Sequence, residues 1–150
     1  MRRRASLFSI LLIPLLILAA CREQLSVEQQ IIGTIETMEA AAEQGRHLDF
    51  MGHIADGFRA QYGSMDRREF HRFMIFQMNE NRRLHANFFP IRVRQTADNG
   101  ASAEFRVLVT GGGGLIPDRG QLFDVQTEWI LDGGDWLLLK ADWETTRVPD

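Results

Sequence analysis

Cysteine is nearly absent: Cys21 is the only one in 150 residues. A single thiol excludes an intramolecular disulfide and any metal site built on cysteines. Histidine does not fill the gap, because His47, His53, His71 and His85 are not at metal-ligand spacing and no His-Glu-x-x-His run occurs. No metal and no cofactor is therefore expected. Gly111–Gly114 lacks the Gly-Lys-Ser/Thr end of a phosphate loop and runs into Leu115-Ile116-Pro117 instead. A flexible connection between strands, reaching to about Gly120, is the expectation there. Basic charge is also short, with a formal net charge of −3. No nucleic-acid partner is expected, since phosphate contacts need a basic surface. Long apolar runs are limited to Leu7–Leu18, so nothing else in the chain is expected to span a membrane. There is no internal repeat, linker or low-complexity tract.

What is present begins with that run. Arg2, Arg3 and Arg4 precede it, Ser9 and Pro14 interrupt it, and Leu18-Ala19-Ala20-Cys21 follows it. A basic start, an apolar middle and small residues beside a cut form the layout of a secretory signal. The run is too short for a membrane span, which needs roughly 20 apolar residues. Leu-Ala-Ala-Cys resembles the lipobox of bacterial lipoproteins, and all four positions fit. The resemblance implies cleavage before Cys21 and lipidation of that cysteine, a diacylglyceryl thioether plus an acylated amino terminus. Arg22, in place of an Asp that favours inner-membrane retention, implies the inner leaflet of the outer membrane, facing the periplasm. Residues 1–20 are then a lipoprotein signal peptide, 21–25 a lipidated tether and 26–150 one domain. Losing three arginines and no acids takes the formal charge from −3 to −6. The tether reaches only about 15 Å, which keeps the domain close to the membrane surface.

Apolar periodicity divides the domain. Ser26 and Gln29 form a capping-box pair, and Val27, Ile31, Ile35, Met38 and Ala42 make one helical stripe with Ile32 beside it. The first helix is expected over about 26–44, closed by Gly45. A short second helix fits 47–55, and Phe58–Tyr62 reads as a small strand or an irregular link. Asp66 and Glu69 pair again, and Phe70, Phe73, Met74, Gln77 and Met78 predict a third helix over about 66–82. Alternation by two then takes over at Phe89–Val93, Ala103–Val109, Phe123–Leu131 and Leu137–Trp143. Asp98-Asn99-Gly100 and Asp132-Gly133-Gly134-Asp135 are tight turns. These strands are expected to be antiparallel, and helices followed by strands predict an α+β class.

The closing run Trp129-Ile130-Leu131-Asp132-Gly133-Gly134-Asp135-Trp136-Leu137, then Ala141-Asp142-Trp143, resembles the last hairpin of the nuclear transport factor 2-like, or cystatin-like, α+β cone family. The Phe50–Phe58 segment after the first helix resembles it too. The resemblance implies N-terminal helices packed on a curved antiparallel sheet around a conical pocket. Its members include isomerase-like and dehydratase-like enzymes and pocketless adaptors that dimerise through the sheet, so the fold does not choose a function.

Enzymes of this kind place Asp, His or Tyr in the cone, which makes Tyr62, His71, His85, Asp124 and Glu128 the catalytic candidates, with Asp142 beside them. Phe105, Val107, Val125, Trp129 and Trp143 are the candidates for an apolar pocket. Glu104, Arg106, Asp124, Gln126, Glu128, Lys140 and Asp142 fall on one polar strand face, where cross-strand ion pairing is the simpler account. Arg67, Arg68, Arg72, Arg82 and Arg83 cluster around the third helix as a solvated face or as a contact for anionic headgroups or a protein. The expectation is a membrane-anchored, non-catalytic domain that binds a small apolar ligand or an envelope protein, with a homodimer through the sheet as a further option. The alternative is an anchored isomerase- or dehydratase-like enzyme, which requires two or more of the catalytic candidates to converge on one concave apolar pocket.

Overall fold

The computed structural model describes residues 25–80, 85–111 and 120–146. The segment expected to be a signal peptide with Cys21, Arg82 and Arg83, and most of the Gly111–Gly120 connection lie outside the described residues. Helix α1 covers Val27–Glu43, with the expected capping box: Gln29 N–H donates to the Ser26 hydroxyl and Ser26 N–H to the Gln29 side chain. Its end is a Schellman motif around Gly45, whose φ of 68° suits glycine. Gly45 N–H reaches Ala42 O at 3.1 Å and Arg46 N–H reaches Ala41 O at 2.8 Å. Ile31, Ile35, Met38 and Ala42 of the expected stripe are buried, and Val27 packs against them at the margin.

Helix α2 is shorter than the periodicity suggested, covering His47–Gly52. Strand β1, Ile54–Ala60, takes the rest of that segment and is a full strand, not a link. It pairs parallel with the last strand, a ladder that local sequence does not announce. Its burial runs in, in, out, out, in, out, in, because a bulge at Ala55–Phe58 breaks the alternation by which a strand is recognised. A two-residue strand β2, Met65–Asp66, turns back on it. Helix α3 follows as Arg67–Glu80, started by the Asp66–Glu69 capping pair at 2.8 Å in both directions.

The expected strand at Phe89–Val93 is two strands, β3 at His85–Phe88 and β4 at Arg92–Ala97. Pro90, which has no N–H to give to a ladder, sits in the break. Both pair antiparallel with the long β5, Gly100–Thr110, each against a different half. Strands β6, Gln121–Asp132, and β7, Asp135–Thr145, complete a sheet in the order β2-β1-β7-β6-β5-β3, with β4 also on β5. The sheet is mixed, since β1 runs parallel to β7 while every other ladder is antiparallel. Gly133 and Gly134, at φ 58° and 92°, form the two-residue turn between β6 and β7.

One bulge corrects the reading of β7. Glu128 faces Lys140 but Trp129 faces Leu138, so Leu139 is extra and the strand changes face there. Trp136 and Leu138 therefore enter the core with Ala141 and Trp143, rather than Leu137 and Leu139. The β1 bulge falls at the same level of the parallel ladder, and bulges at one level add twist and bend to the sheet. The helices cover one face. Phe58 stacks on Phe70 at 4.8 Å, and Trp143 packs on Phe73 at 5.8 Å and Phe70 at 6.2 Å. Phe58 is fully buried, a position that contributes about 1.5–3 kcal/mol in area removed from water.

Candidate functional site

The face turned away from the helices carries the polar strand positions in register. Glu104, Gln126 and Asp142 form one row across β5, β6 and β7, Arg106, Asp124 and Glu144 the next, and Ser102, Glu128 and Lys140 a third. The first two rows floor a groove of about 760 Å³, bounded by Tyr62 on one side and Phe89, Pro90 and Arg92 on the other. Alternation puts these polar residues outside because their neighbours Phe105 and Trp143 turn toward the core.

Most charges here are already matched. Arg106 Nε donates to Asp124 Oδ1 at 2.7 Å, and Thr146 Oγ1 donates to Asp124 Oδ2 at 2.8 Å. Those two hydrogen bonds, Thr146 first and Arg106 second, hold the Asp124 carboxyl below its usual range. Lys140 Nζ meets Glu128 Oε1 at 2.9 Å, and this carboxylate lifts the lysine pKa. Arg94 lies 3.7 Å from Glu104.

Tyr62 is placed by an unusual turn. Gln61 and Tyr62 both have left-handed backbones, φ 49° and 57°, directly after β1. Such a conformation costs an L residue about 1–2 kcal/mol. Contacts to β7 hold it: Gln61 N–H donates to Ala141 O at 3.1 Å and Gln61 Nε2 to Trp143 O at 3.2 Å. Tyr62 N–H reaches Asp142 Oδ1 and its hydroxyl reaches Glu144 Oε1, both at 2.6 Å. The bond to Glu144, then desolvation and the charges of Glu144 and Asp142, push the phenol pKa up, so the hydroxyl remains a donor.

Of the catalytic candidates, Tyr62 and Asp124 share this groove, with Asp142 between them. The other three lie elsewhere. Glu128 pairs with Lys140 in the third row. His85 stands 3.4 Å from Glu43 with a side chain 67% exposed. His71, on α3, faces His47 at the start of α2, Nε2 to Nδ1 at 3.2 Å. Of the pocket candidates, Phe105, Val125 and Trp143 border the groove, and Phe105 packs on Phe88 at 5.3 Å. Val107 and Trp129 are buried. Trp129 Nε1 donates to Thr127 Oγ1 at 2.8 Å, which donates to Ala103 O at 2.9 Å, so the indole is a core group with its polar atom satisfied. Among the described residues no group of three or more His, Cys, Asp or Glu is placed to hold a metal ion.

Sequence reasoning missed Glu144, Phe89 and Pro90 as groove residues, Thr146 as the partner of Asp124 and His47 as the partner of His71. Glu144 was within reach, as the next outward position after Asp142. The histidine pair joins residues 24 apart on two helices, which no periodicity links.

An α+β molecule with helices on one face of a curved, unclosed mixed sheet is a cystatin-like cone, and solved structures agree. A proposed scytalone dehydratase from Novosphingobium aromaticivorans superposes with a TM-score of 0.68 at 11% identity, over 80% of this chain and 84% of that one. A proposed dehydratase of the NTF2-like family from Streptomyces avermitilis gives 0.68 at 14% identity, over 81% and 97%. A cystatin-like protein of unknown function from Nostoc punctiforme gives 0.65 at 12%, over 81% and 94%. The chain therefore has the NTF2-like, cystatin-like fold; at these identities the likeness concerns the fold alone. No family model and no curated relative matches the sequence.

Proposed function

We propose that this chain is a lipoprotein anchored through Cys21 to the inner leaflet of the outer membrane, and that its periplasm-facing domain binds a protein partner without chemical turnover. The observation that carries the binding reading is the groove on the open sheet face. Its floor is two rows of fixed charges, and exposed aromatic side chains, Tyr62 at 72% and Phe89 at 46%, stand at its margins. Exposed aromatic side chains and arginine are enriched where proteins meet. A charged floor is a poor match for a small apolar ligand, which needs apolar walls on most sides.

The enzyme alternative has the shared placement of Tyr62 and Asp124 in its favour. It asks for a carboxylate whose pKa is raised toward the working pH. Asp124 is shifted the other way, and both its oxygens are engaged.

A photo-crosslinking residue at Phe89 tests the binding reading in intact envelopes, with the same residue at exposed Glu36 on α1 as the control. The expected result is a discrete adduct from position 89 alone, weakened by Arg106→Glu. An adduct of twice the chain mass identifies the partner as a second copy. Equal patterns at both positions, or no effect of Arg106→Glu, overturn the reading.

A further inference from the structure

A second cleft, of about 420 Å³, lies where β1 meets the start of α3, away from the groove, and is lined by Asp56, Arg59, Asp66, Arg67, Arg68 and His71. We infer that this cleft binds a phosphoryl oxyanion. Elsewhere among the described residues, five basic side chains stand beside carboxylates, Arg46 with Asp49, Arg94 with Glu104, Arg106 with Asp124, Lys140 with Glu128, and His85 with Glu43, while Arg72 and Arg92 are single cations without an ion pair. Arg59, Arg67 and Arg68 form no ion pair among the described residues, although they share one cleft in an acidic chain. Three guanidiniums against the two carboxylates Asp56 and Asp66 leave the cleft with an excess of positive charge, and an anion between the guanidiniums lowers their mutual repulsion.

The carboxylates of the cleft do not serve this purpose. Asp66 is committed to the helix start, where its Oδ1 accepts the Glu69 N–H at 2.8 Å. That hydrogen bond is the main reason its pKa is lowered, with Arg68 and Arg59 adding smaller effects. Asp56 is an exposed side chain on β1 with no ion pair among the described residues.

Two of the guanidiniums are held in place by backbone. Arg67 donates from Nε to Ile54 O at 3.3 Å and from Nη2 to Met51 O at 3.2 Å, which fixes the plane of its fork and leaves Nη1 uncommitted. Arg59 donates from Nη1 to Phe58 O at 3.0 Å. Groups ordered before binding lose less entropy on binding. His71 uses Nε2 toward His47, and no hydrogen bond to its Nδ1 is formed among the described residues. One Arg fork satisfies a planar carboxylate, whereas a tetrahedral phosphoryl group offers oxygens to donors arriving from several directions, as they do here from β1 and from α3.

The phosphoryl group has two sources, free phosphate or a phospholipid headgroup, and two arms of one experiment separate them. The protein, carbon-13 labelled and held in dodecyl maltoside micelles, which carry no phosphoryl group, is followed by the His71 ring signals at constant ionic strength. In the first arm inorganic phosphate is titrated in. In the second, phosphatidylglycerol is titrated into the micelles. A saturable displacement in the first arm identifies free phosphate, and one in the second identifies the headgroup. In either case Arg59→Ser with Arg68→Ser, both exposed positions, is expected to weaken it about tenfold or more while the other ring signals stay in place. Silence in both arms, an equal shift with chloride, or a displacement that survives the double variant overturns the inference.

Discussion

Thr127 shows how much one hydroxyl carries. It is buried on β6, accepts from Trp129 Nε1 and donates to Ala103 O, linking β5 and β6 through the core. Thr127→Val keeps the shape and removes both bonds, leaving a buried indole N–H without a partner. The expected loss is about 1–3 kcal/mol, read as a lower urea midpoint with unchanged slope. Thr127→Ser, which keeps the oxygen, recovers most of it. Asp124 gives a different signature because it is a surface group. Its folded-state pKa lies below the ordinary 3.8, so its stabilising contribution is present above that value and fades as pH falls through the folded one. Asp124→Asn is therefore expected to lower stability at neutral pH and to converge on the unsubstituted chain as pH falls below about 4, so that the acid limb of the stability–pH curve flattens. An unchanged acid limb would show that the bonds to Arg106 and Thr146 do not persist in solution.

Helix α1 is the element on which sequence and structure agree most closely, because its signals are local: a capping box, a stripe and a glycine at the end. Ser26→Ala removes the cap acceptor and is expected to cost about 1 kcal/mol, with circular dichroism showing fraying at the start of α1 and the core transition otherwise intact. Ser26→Asp should restore it. The hairpin of β6 and β7 was legible for the same reason, since Asp132–Asp135 sets its own turn. Strand β1 was not, because its partner β7 lies some eighty residues away and its bulge hides the alternation. The face switch at Leu139 was equally hidden, as one extra residue is invisible until the partner strand fixes the register. The groove was half visible: its floor follows from alternation, while its Tyr62 wall depends on left-handed residues held by contacts to β7.

At the scale of the whole molecule, the anchor proposed at Cys21 sets where the two clefts would act. Only residues 22–25 separate Cys21 from the Ser26 cap, so a domain tethered by lipid stays within about 15 Å of its attachment point. None of the helices among the described residues is long and apolar enough to cross a membrane, and the proposed anchoring rests on acyl chains at Cys21. One chain binds a bilayer only marginally, whereas two or more hold stably. Cys21→Ser removes the acceptor thiol and is expected to leave the precursor uncut, seen as a larger species on a gel, without incorporation of labelled palmitate. A variant that is still cut normally and still sediments with outer membranes would show that retention comes from the folded domain. The lipid-anchor reading would then fall, and the arginine cleft beside α3 would be the first surface to test as the membrane contact.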